Sequence, residues 1–200
     1  MRDEIRERFE ANLARVRNLI QIYEQVARPT PGRQQVGTID ILRAATVFLH
    51  AALEEVFRNA ARWKYPTAPQ TLLNEIPLVG TSGRPERYLL GHLASHREKT
   101  VQEVINQSVE EYLDRFTVNN VPEAIKVLSY IGINPNSINE EFPVLAELFE
   151  RRHHIVHQAD RNDMPGPGHH EARGLNRATV SGWVGGVERF VNQLLVQIPD

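Results

Sequence analysis

The chain has 200 residues, of which 41% are hydrophobic, and its formal net charge is −2. This length is enough for one domain with a sizeable core, and the hydrophobic share excludes a wholly disordered chain. The absence of cysteine excludes disulfides and thiolate zinc sites, and the small net charge excludes a general basic field that would attract nucleic acid.

The first predicted element is a long amphipathic helix over residues 3–27. Apolar side chains recur in it at helical spacing: Ile5, Phe9, Leu13, Val16, Ile20 and Tyr23. The charged start of this helix is unlike a secretory signal, and no run approaches the roughly 18 apolar residues of a membrane span. We therefore expect a soluble protein of the cytoplasm. The Pro- and Gly-containing run 28–32 ends the helix.

A second long helix is predicted to begin at Thr38 or Asp40, either of which can cap it, and to reach about Trp63. Its apolar stripe consists of Leu42, Ala45, Leu49, Leu53, Val56 and Ala60. Residues 65–84 are rich in Pro, Gly and Thr and are predicted to form a loop, and a short helix is expected after Pro85.

The middle of the chain predicts two further helices that have recognisable caps. A Thr-x-x-Glu capping box at Thr100 opens the first of them. Asn120 can cap the second, and Gly132 can end it. We expect residues 65–137 to form a helical insertion between the longer helices.

The C-terminal part predicts a helix over about 140–158 with Asn139 as its cap, a polar loop over 161–168, and a last helix over about 178–198. No segment alternates apolar and polar residues in the manner of a β-strand. We therefore predict an all-α bundle of four long helices with the helical insertion, in a single domain 1–200.

The helix over 140–158 carries a charge where an apolar side chain is expected. At about 100° per residue, one apolar stripe is formed by Leu145, Leu148, Phe149, Ile155 and Val156. Arg152 falls in the middle of this stripe, and a guanidinium aimed at a core is costly unless something pairs with it. His153 and His157 lie along one flank of the stripe, and His154 is expected to point away from the core.

Three interpretations of this helix are open from the residues alone. In a structural one, Arg152 pairs with Glu54 or another acid and the histidines are ordinary boundary residues. In a catalytic one, histidine moves protons near neutral pH and Arg152 stabilises a phosphorane-like transition state, with no metal. In the third, Glu150, His153 and His157 contribute to a di-metal site, although the chain has no second Glu-x-x-His element.

The run RRHHIVHQAD at 151–160 resembles the signature of the HEPN superfamily (higher eukaryotes and prokaryotes nucleotide-binding). That signature is an Arg, a polar residue, and a His four to six positions after the Arg. Arg152 with His157 fits this spacing, His153 fills the polar position, where Asn or Asp is frequent, and Arg151 gives a longer alternative.

The spacing alone is not specific, because Arg87 with His92 and Arg43 with His50 also satisfy it or nearly do. The position of the run near the end of the third long helix, before a polar loop and one last helix, is what resembles a HEPN layout. The resemblance covers nearly the whole chain, but it assigns no motif to the insertion.

The resemblance implies a metal-independent endoribonuclease without a cofactor, of a kind that commonly acts as a toxin in toxin–antitoxin and other defence systems. Such proteins form homodimers in which two motif helices face one cleft, so Arg152 would face that cleft instead of a dry core. His157 would activate the ribose 2′-hydroxyl or protonate the leaving oxygen, and Arg152 would stabilise the phosphate. His153 would position both groups, and the RNA would end in a 2′,3′-cyclic phosphate.

Arg151 and Arg161 are the predicted substrate-binding residues, and RNA, a second copy of the chain and an antitoxin-like partner are the predicted partners. Five of the eight histidines lie between 153 and 170, so this stretch is locally cationic. The loop 161–177 is a candidate for RNA contacts or, equally, a solvated linker. The alternative function is a non-catalytic HEPN module that binds RNA, nucleotide or an antitoxin-like partner.

On the second helix, Arg43, His50 and Glu54 share one polar side. They either line the same cleft or belong to a solvated face on which Glu54 pairs with Arg58, and the solvated face is the interpretation that helical spacing favours.

Overall fold

The structure is a computed structural model that describes residues 1–27, 36–81, 90–161 and 172–199. These ranges contain α1 (Arg2–Val26), α2 (Val36–Lys64), α3 (Gln70–Leu73), α4 (Val101–Leu113), α5 (Val121–Tyr130), α6 (Phe142–Gln158) and α7 (Arg177–Gln197). Short 3-10 helices lie at Tyr65–Thr67, Leu90–His96, Pro135–Ser137 and Asn139–Glu141. No residue of these ranges lies in a β-strand, and the prediction of an all-α bundle is confirmed.

Helices α1 and α2 form an antiparallel pair. The Arg2 guanidinium lies 5.9 Å from the Trp63 ring centre, and the Arg15 guanidinium lies 5.1 Å from the ring centre of Phe48. These contacts run in opposite directions along the two helices, as expected when two long helices bury facing stripes.

Helix α7 lies antiparallel to α1 on another side. Arg2 donates to the carbonyl of Ile198 at 2.7 Å, and Arg17 pairs with Glu188 at 2.7 Å. Because α7 also packs on α2 and α6, the last helix of the chain completes the bundle.

Helix α6 is antiparallel to α7 and approaches it closely at a glycine. A Cβ atom placed on Gly186 would lie 2.5 Å from Cγ1 of Val144. Near the start of α6, the Glu141 carboxylate accepts hydrogen bonds from Arg189 of α7. The two helices therefore meet at a fixed register.

The predicted apolar stripes form the core. On α1 and α2 the buried side chains include Ile5, Phe9, Leu13, Val16, Leu42, Leu49, Leu53 and Val56. On α7 they include Val180, Trp183, Val187, Phe190, Val191, Leu194 and Leu195. Full burial of each large apolar side chain stabilises the fold by about 1.5–3 kcal/mol, which is why these stripes fix the helix arrangement.

The segment between α2 and α6 carries the caps that the sequence predicts. Thr100 and the side chain of Glu103 form a reciprocal capping box at the start of α4. The Asn120 side chain accepts from the backbone N–H of Glu123 at the start of α5, and Gly132 follows that helix at φ +86°. Helices α4 and α5 pack on α2. The division of the chain into one domain with an insertion stays a prediction.

Four boundary predictions require comment. Helix α2 begins at Val36, so Thr38 and Asp40 lie inside it, and Asp40 accepts a hydrogen bond from Arg43 instead of capping the helix. The predicted cap Asn139 is wrong, because Asn139 lies in a 3-10 turn and α6 begins at Phe142.

The predicted loop 65–84 contains a 3-10 turn and α3 in its described part. The start of the short helix expected after Pro85 lies outside the described residues, and a 3-10 helix is present at Leu90–His96.

Candidate active site

The apolar side chains of α6 become more exposed from its first half to its last turn. Leu145, Leu148 and Phe149 in its first half are buried. Ile155 is only half-buried, and Val156 in the last turn is 47% exposed. The predicted stripe therefore splits into a buried half and an exposed half, and Arg152 lies where the two meet.

Arg152 is half-buried and is held by an amide. Its Nη1 donates to Oδ1 of Asn119 at 3.2 Å, and its Nε is buried without a hydrogen-bond partner. Among residues 1–27, 36–81, 90–161 and 172–199, no carboxylate forms an ion pair with it. The Arg–Glu pairing of the structural interpretation is thus not made at ion-pair distance, and the guanidinium keeps a positive charge that an anion can approach.

His50 of α2 lies beside Arg152 and is buried, with 2% of its surface exposed. Burial, together with the positive charge of Arg152, lowers its pKa to about 4. Its Nε2 lies 3.0 Å from the carbonyl oxygen of Val118. A carbonyl only accepts, so Nε2 carries the proton in the neutral ring, and the unprotonated Nδ1 lies 3.7 Å from Oε2 of Glu54.

Glu54 completes this polar layer. It pairs with Arg58 at 2.9 Å, as predicted, but its side chain is only 13% exposed. Burial raises the pKa of Glu54, while the charges of Arg58 and Arg152 act in the opposite direction. The prediction of a solvated face is therefore wrong: α4, α5 and the segment between them pack on α2 and cover the side that carries His50 and Glu54.

His153 and His157 are both exposed on the last two turns of α6. Their ring centres are 4.8 Å apart, as the four-residue spacing on one helix face requires. Apart from their contacts with histidine rings, neither imidazole has a hydrogen-bonding or charged partner in the part of the chain that the structure describes. Two adjacent, accessible imidazoles are able to accept and donate protons.

His154 differs from its prediction. Its side chain is 16% exposed, with Nε2 3.8 Å from a carboxylate oxygen of Glu150, so it is more buried than the two histidines that flank it. The 3.6-residue period places it near the α6 edge that α7 and the segment before it cover. Glu150 thus contacts His154, and within the described ranges no group of three or more His, Asp and Glu side chains is arranged to hold a metal.

The three predicted catalytic residues, Arg152, His153 and His157, do not all lie on one side of α6 within one copy of the chain. Arg152 and His157 are five positions apart, which places them about 140° apart around the helix axis. No hydrogen bond joins Arg152 to His153 or His157. The structure brings the two histidines together and brings Arg152 to His50, Glu54 and Asn119.

Arg151 is held by protein groups. Its Nη2 donates to Oδ2 of Asp160 at 2.8 Å and to the carbonyls of Arg173 and Gly174, both at 3.0 Å. Asp160 is completely buried and also accepts from Arg43. The predicted contact of Arg151 with substrate stays a prediction, and Nη1 is the nitrogen left for it.

Arg161 is exposed, and its guanidinium has no partner among the described residues. Its backbone forms an antiparallel bridge with Ala172, which closes the base of the segment between α6 and α7. Most of the loop predicted to contact RNA, including His169 and His170, lies outside the described residues.

Sequence reasoning missed Asn119 and Asp160. Asn119 follows α4 in a connecting segment, and only the packing of that segment against α6 brings it to Arg152. Asp160 has a local signal: it and Ala159 have φ of +54° and +50°, a backbone region in which Asp is one of the more tolerated residues after a helix end.

An all-α bundle with Arg152 and His157 near the end of its third long helix has the layout of a HEPN domain. Residues 10–198 match the family described as RiboL-PSP-HEPN, and the chain belongs to this family. HEPN domains are RNA-related modules and are often ribonucleases. Neither the curated proteins nor the solved structures contain a significant match to the chain. No helix in the described ranges is long and apolar enough to cross a membrane.

Proposed function

We propose that the chain is a metal-independent endoribonuclease whose site is built on the last turns of α6. The observation that carries the proposal is the accessible His153–His157 pair, 4.8 Å apart, on the helix that also carries Arg152, whose guanidinium forms no ion pair with a carboxylate of the described residues. Membership in the RiboL-PSP-HEPN family supplies the class of substrate.

The proposed reaction is attack of the ribose 2′-oxygen on the adjacent phosphorus. One imidazole takes the 2′-hydroxyl proton, the bond from phosphorus to the 5′-oxygen breaks, and a protonated imidazole gives its proton to that oxygen. His157 of one copy performs one of these transfers, His157 of a second copy performs the other, and His153 positions the reacting groups. The products are a 2′,3′-cyclic phosphate and a 5′-hydroxyl, so atoms and charge balance without a further reactant.

Arg152 stabilises the negative charge that the phosphate oxygens gain in the transition state. Among the described residues its guanidinium forms one hydrogen bond, to Asn119, so most of its forked N–H donors are left for a phosphate. Arg161 contacts a neighbouring phosphate through its guanidinium, which has no partner among the described residues, and Arg151 contributes through Nη1.

A homodimer would bring together Arg152 and His157, which point in different directions on one copy of α6. HEPN domains commonly dimerise, and α6 exposes Val156, one residue before His157, in the direction in which its core stripe continues. Two copies that pair along this half of α6 bring Arg152 of one copy near His157 of the other. The oligomeric state is measured by light scattering during size-exclusion chromatography, and Val156→Asp is expected to convert dimer to monomer and reduce cleavage.

The role in the cell that we propose is that of a toxin or defence nuclease kept inactive by an antitoxin-like partner. The resemblance to HEPN proteins that act as toxins is what supports this role. Growth arrest on expression of the wild-type chain, absent for His157→Ala, is its test.

Cleavage of bulk tRNA and mRNA in EDTA tests the enzymatic proposal directly. The wild-type chain is expected to cleave, His157→Ala to be inactive, and His154→Ala, a matched change on the same helix, to retain activity. Mass spectrometry of the fragments should show 2′,3′-cyclic phosphate ends. Equal absence of cleavage in all three proteins would instead identify a non-catalytic module that binds RNA, nucleotide or a protein partner.

A further inference from the structure

The helices between α2 and α6 enclose a cleft of about 750 Å³ that the candidate active site does not use. An aromatic wall lines it, formed by Tyr65, Tyr112, Phe116 and Tyr130. The Tyr112 ring centre lies 6.5 Å from those of Tyr65 and Phe116, both of which are buried. The wall is therefore fixed by the core, and the cleft has the size of a small-molecule site, typically about 300–1,000 Å³.

The charged side chains of the cleft differ in whether they already have a partner. Lys126 is occupied, because its Nζ donates to Glu75. Arg115 is exposed at the wall, and its guanidinium has no hydrogen bond or ion pair with any residue the structure describes. The carboxylates of Glu111 and Glu123 also line the cleft. The cleft therefore offers aromatic faces, carboxylate acceptors and a cation, the groups that a planar ring with amino donors and an attached anionic group would need.

The cleft is adjacent to the candidate active site. Glu123 accepts a hydrogen bond from the backbone N–H of Asn119 at 2.7 Å, and Asn119 accepts from Arg152 at 3.2 Å. Thr117 lines the cleft two residues before Asn119, so their Cα atoms are at most about 7 Å apart. A single RNA strand is long enough to contact both places.

We propose that this cleft binds one nucleotide of the RNA strand whose neighbouring phosphate lies at Arg152. The base packs against Tyr112 and donates its amino hydrogens to the carboxylates, and the phosphate of the same nucleotide pairs with Arg115. Single-stranded nucleic acid is commonly held in this way, by aromatic stacking combined with cationic contacts. The identity of the ligand rests on the proposed function, whereas the position of the site rests on the cleft.

Binding of a fluorescent 2′-O-methyl oligonucleotide to the full chain tests the cleft without requiring cleavage, because the blocked 2′-oxygen cannot attack. Arg115→Glu and Tyr112→Leu are each expected to weaken binding about tenfold. Arg97→Glu is the matched control, since Arg97 is exposed outside the cleft, and it should change binding less than about twofold. Equal weakening by both Arg variants, with no effect of Tyr112→Leu, would overturn the proposal.

Two parallel measurements separate failure of the cleft from failure of the ribonuclease. Tyr112-dependent binding by a wild-type chain that does not cleave unmodified RNA would remove the enzymatic proposal and keep the cleft. Cleavage by wild type, with kcat and KM unchanged in Arg115→Glu, would keep the enzymatic proposal and remove the cleft as an RNA-binding site. Tighter binding of free AMP than of the oligonucleotide would overturn the assignment to the RNA strand. Arg115→Glu changes an exposed side chain, so the test does not depend on whether Tyr112→Leu folds.

Discussion

Nε of Arg43 lies 2.6 Å from Oδ2 of Asp160, a residue 117 positions further along the chain. Nη2 of Arg151 donates to the same oxygen, so one fully buried carboxylate balances two guanidinium groups. Nη2 of Arg43 and Nη2 of Arg151 also share the carbonyl of Arg173. This cluster ties α2, the end of α6 and the segment that enters α7 to one another.

Asp160→Ala is expected to lower the free energy of unfolding by about 3–5 kcal/mol, because it leaves two cations without their buried partner. Urea denaturation followed by circular dichroism measures the loss. Glu188→Ala is the control: it removes an ion pair with Arg17 whose side chains are both well exposed, and it should cost less than about 1 kcal/mol. Similar losses in the two variants would show that the Asp160 cluster does not stabilise the fold.

Arg152→Ala is expected to abolish RNA cleavage and to leave the helical circular dichroism nearly unchanged. The reason is that Arg152 makes one hydrogen bond to Asn119 and no ion pair with a described carboxylate, so its removal leaves no buried acid unpaired. Cleavage of tRNA in EDTA and the thermal melting curve are measured on the same preparation. Global unfolding of the variant would indicate a structural Arg152 instead.

Because His50 is buried in its neutral form, the free energy of unfolding is expected to fall as the pH is lowered. Its pKa in the folded chain is about 4, below the 6.5 of an ordinary histidine, so the unfolded chain binds more protons between these values. The contribution is complete above about pH 6.5 and is lost as the pH falls towards 4, a difference of roughly 3 kcal/mol.

Urea titrations at several pH values between 4 and 7 measure this slope. His50→Gln should flatten it relative to wild type, while the opposite contribution of Glu54, whose pKa is raised, is present in both proteins. An unchanged slope in His50→Gln would show that His50 is not held neutral by the fold.

Two of the three glycines of α7, Gly182 and Gly186, predict opposite effects of the same substitution. Gly186→Ala is expected to destabilise by about 1–3 kcal/mol, because the new Cβ would lie 2.5 Å from the branched side chain of Val144. Gly182→Ala meets nothing within 4 Å and should stabilise by about 0.5–1 kcal/mol through helix propensity. Thermal melts of both variants test the pair, and stabilisation by Gly186→Ala would contradict the close approach of α6 and α7.

Local patterns predicted the parts of the fold that local physics determines. Periodic apolar residues identified the four long helices, and the side-chain caps at Thr100 and Asn120 were legible because a helix end needs partners within a few residues. The family signature at Arg152 and His157 was legible for the same reason, since it occupies a single helix.

The contacts that could not be predicted from the sequence are those between residues far apart in the chain. His50 is buried by Val118 and Phe149, which lie more than 60 residues away, and no local period encodes that contact. Asn119 and Asp160 likewise acquire their partners only when the connecting segments pack against α2 and α6. These residues surround Arg152 and the end of its helix, so the support of the candidate site was the least predictable part.

The position of α7 in the bundle has a consequence during protein synthesis. α7 is translated after α1, α2 and α6, yet it packs on all three, and Arg2 at the start of α1 is bonded to Ile198. A nascent chain whose α7 is still inside the ribosomal tunnel lacks the surface against which α6 packs. The helical bundle is therefore able to close only after α7 has been synthesised and has left the tunnel.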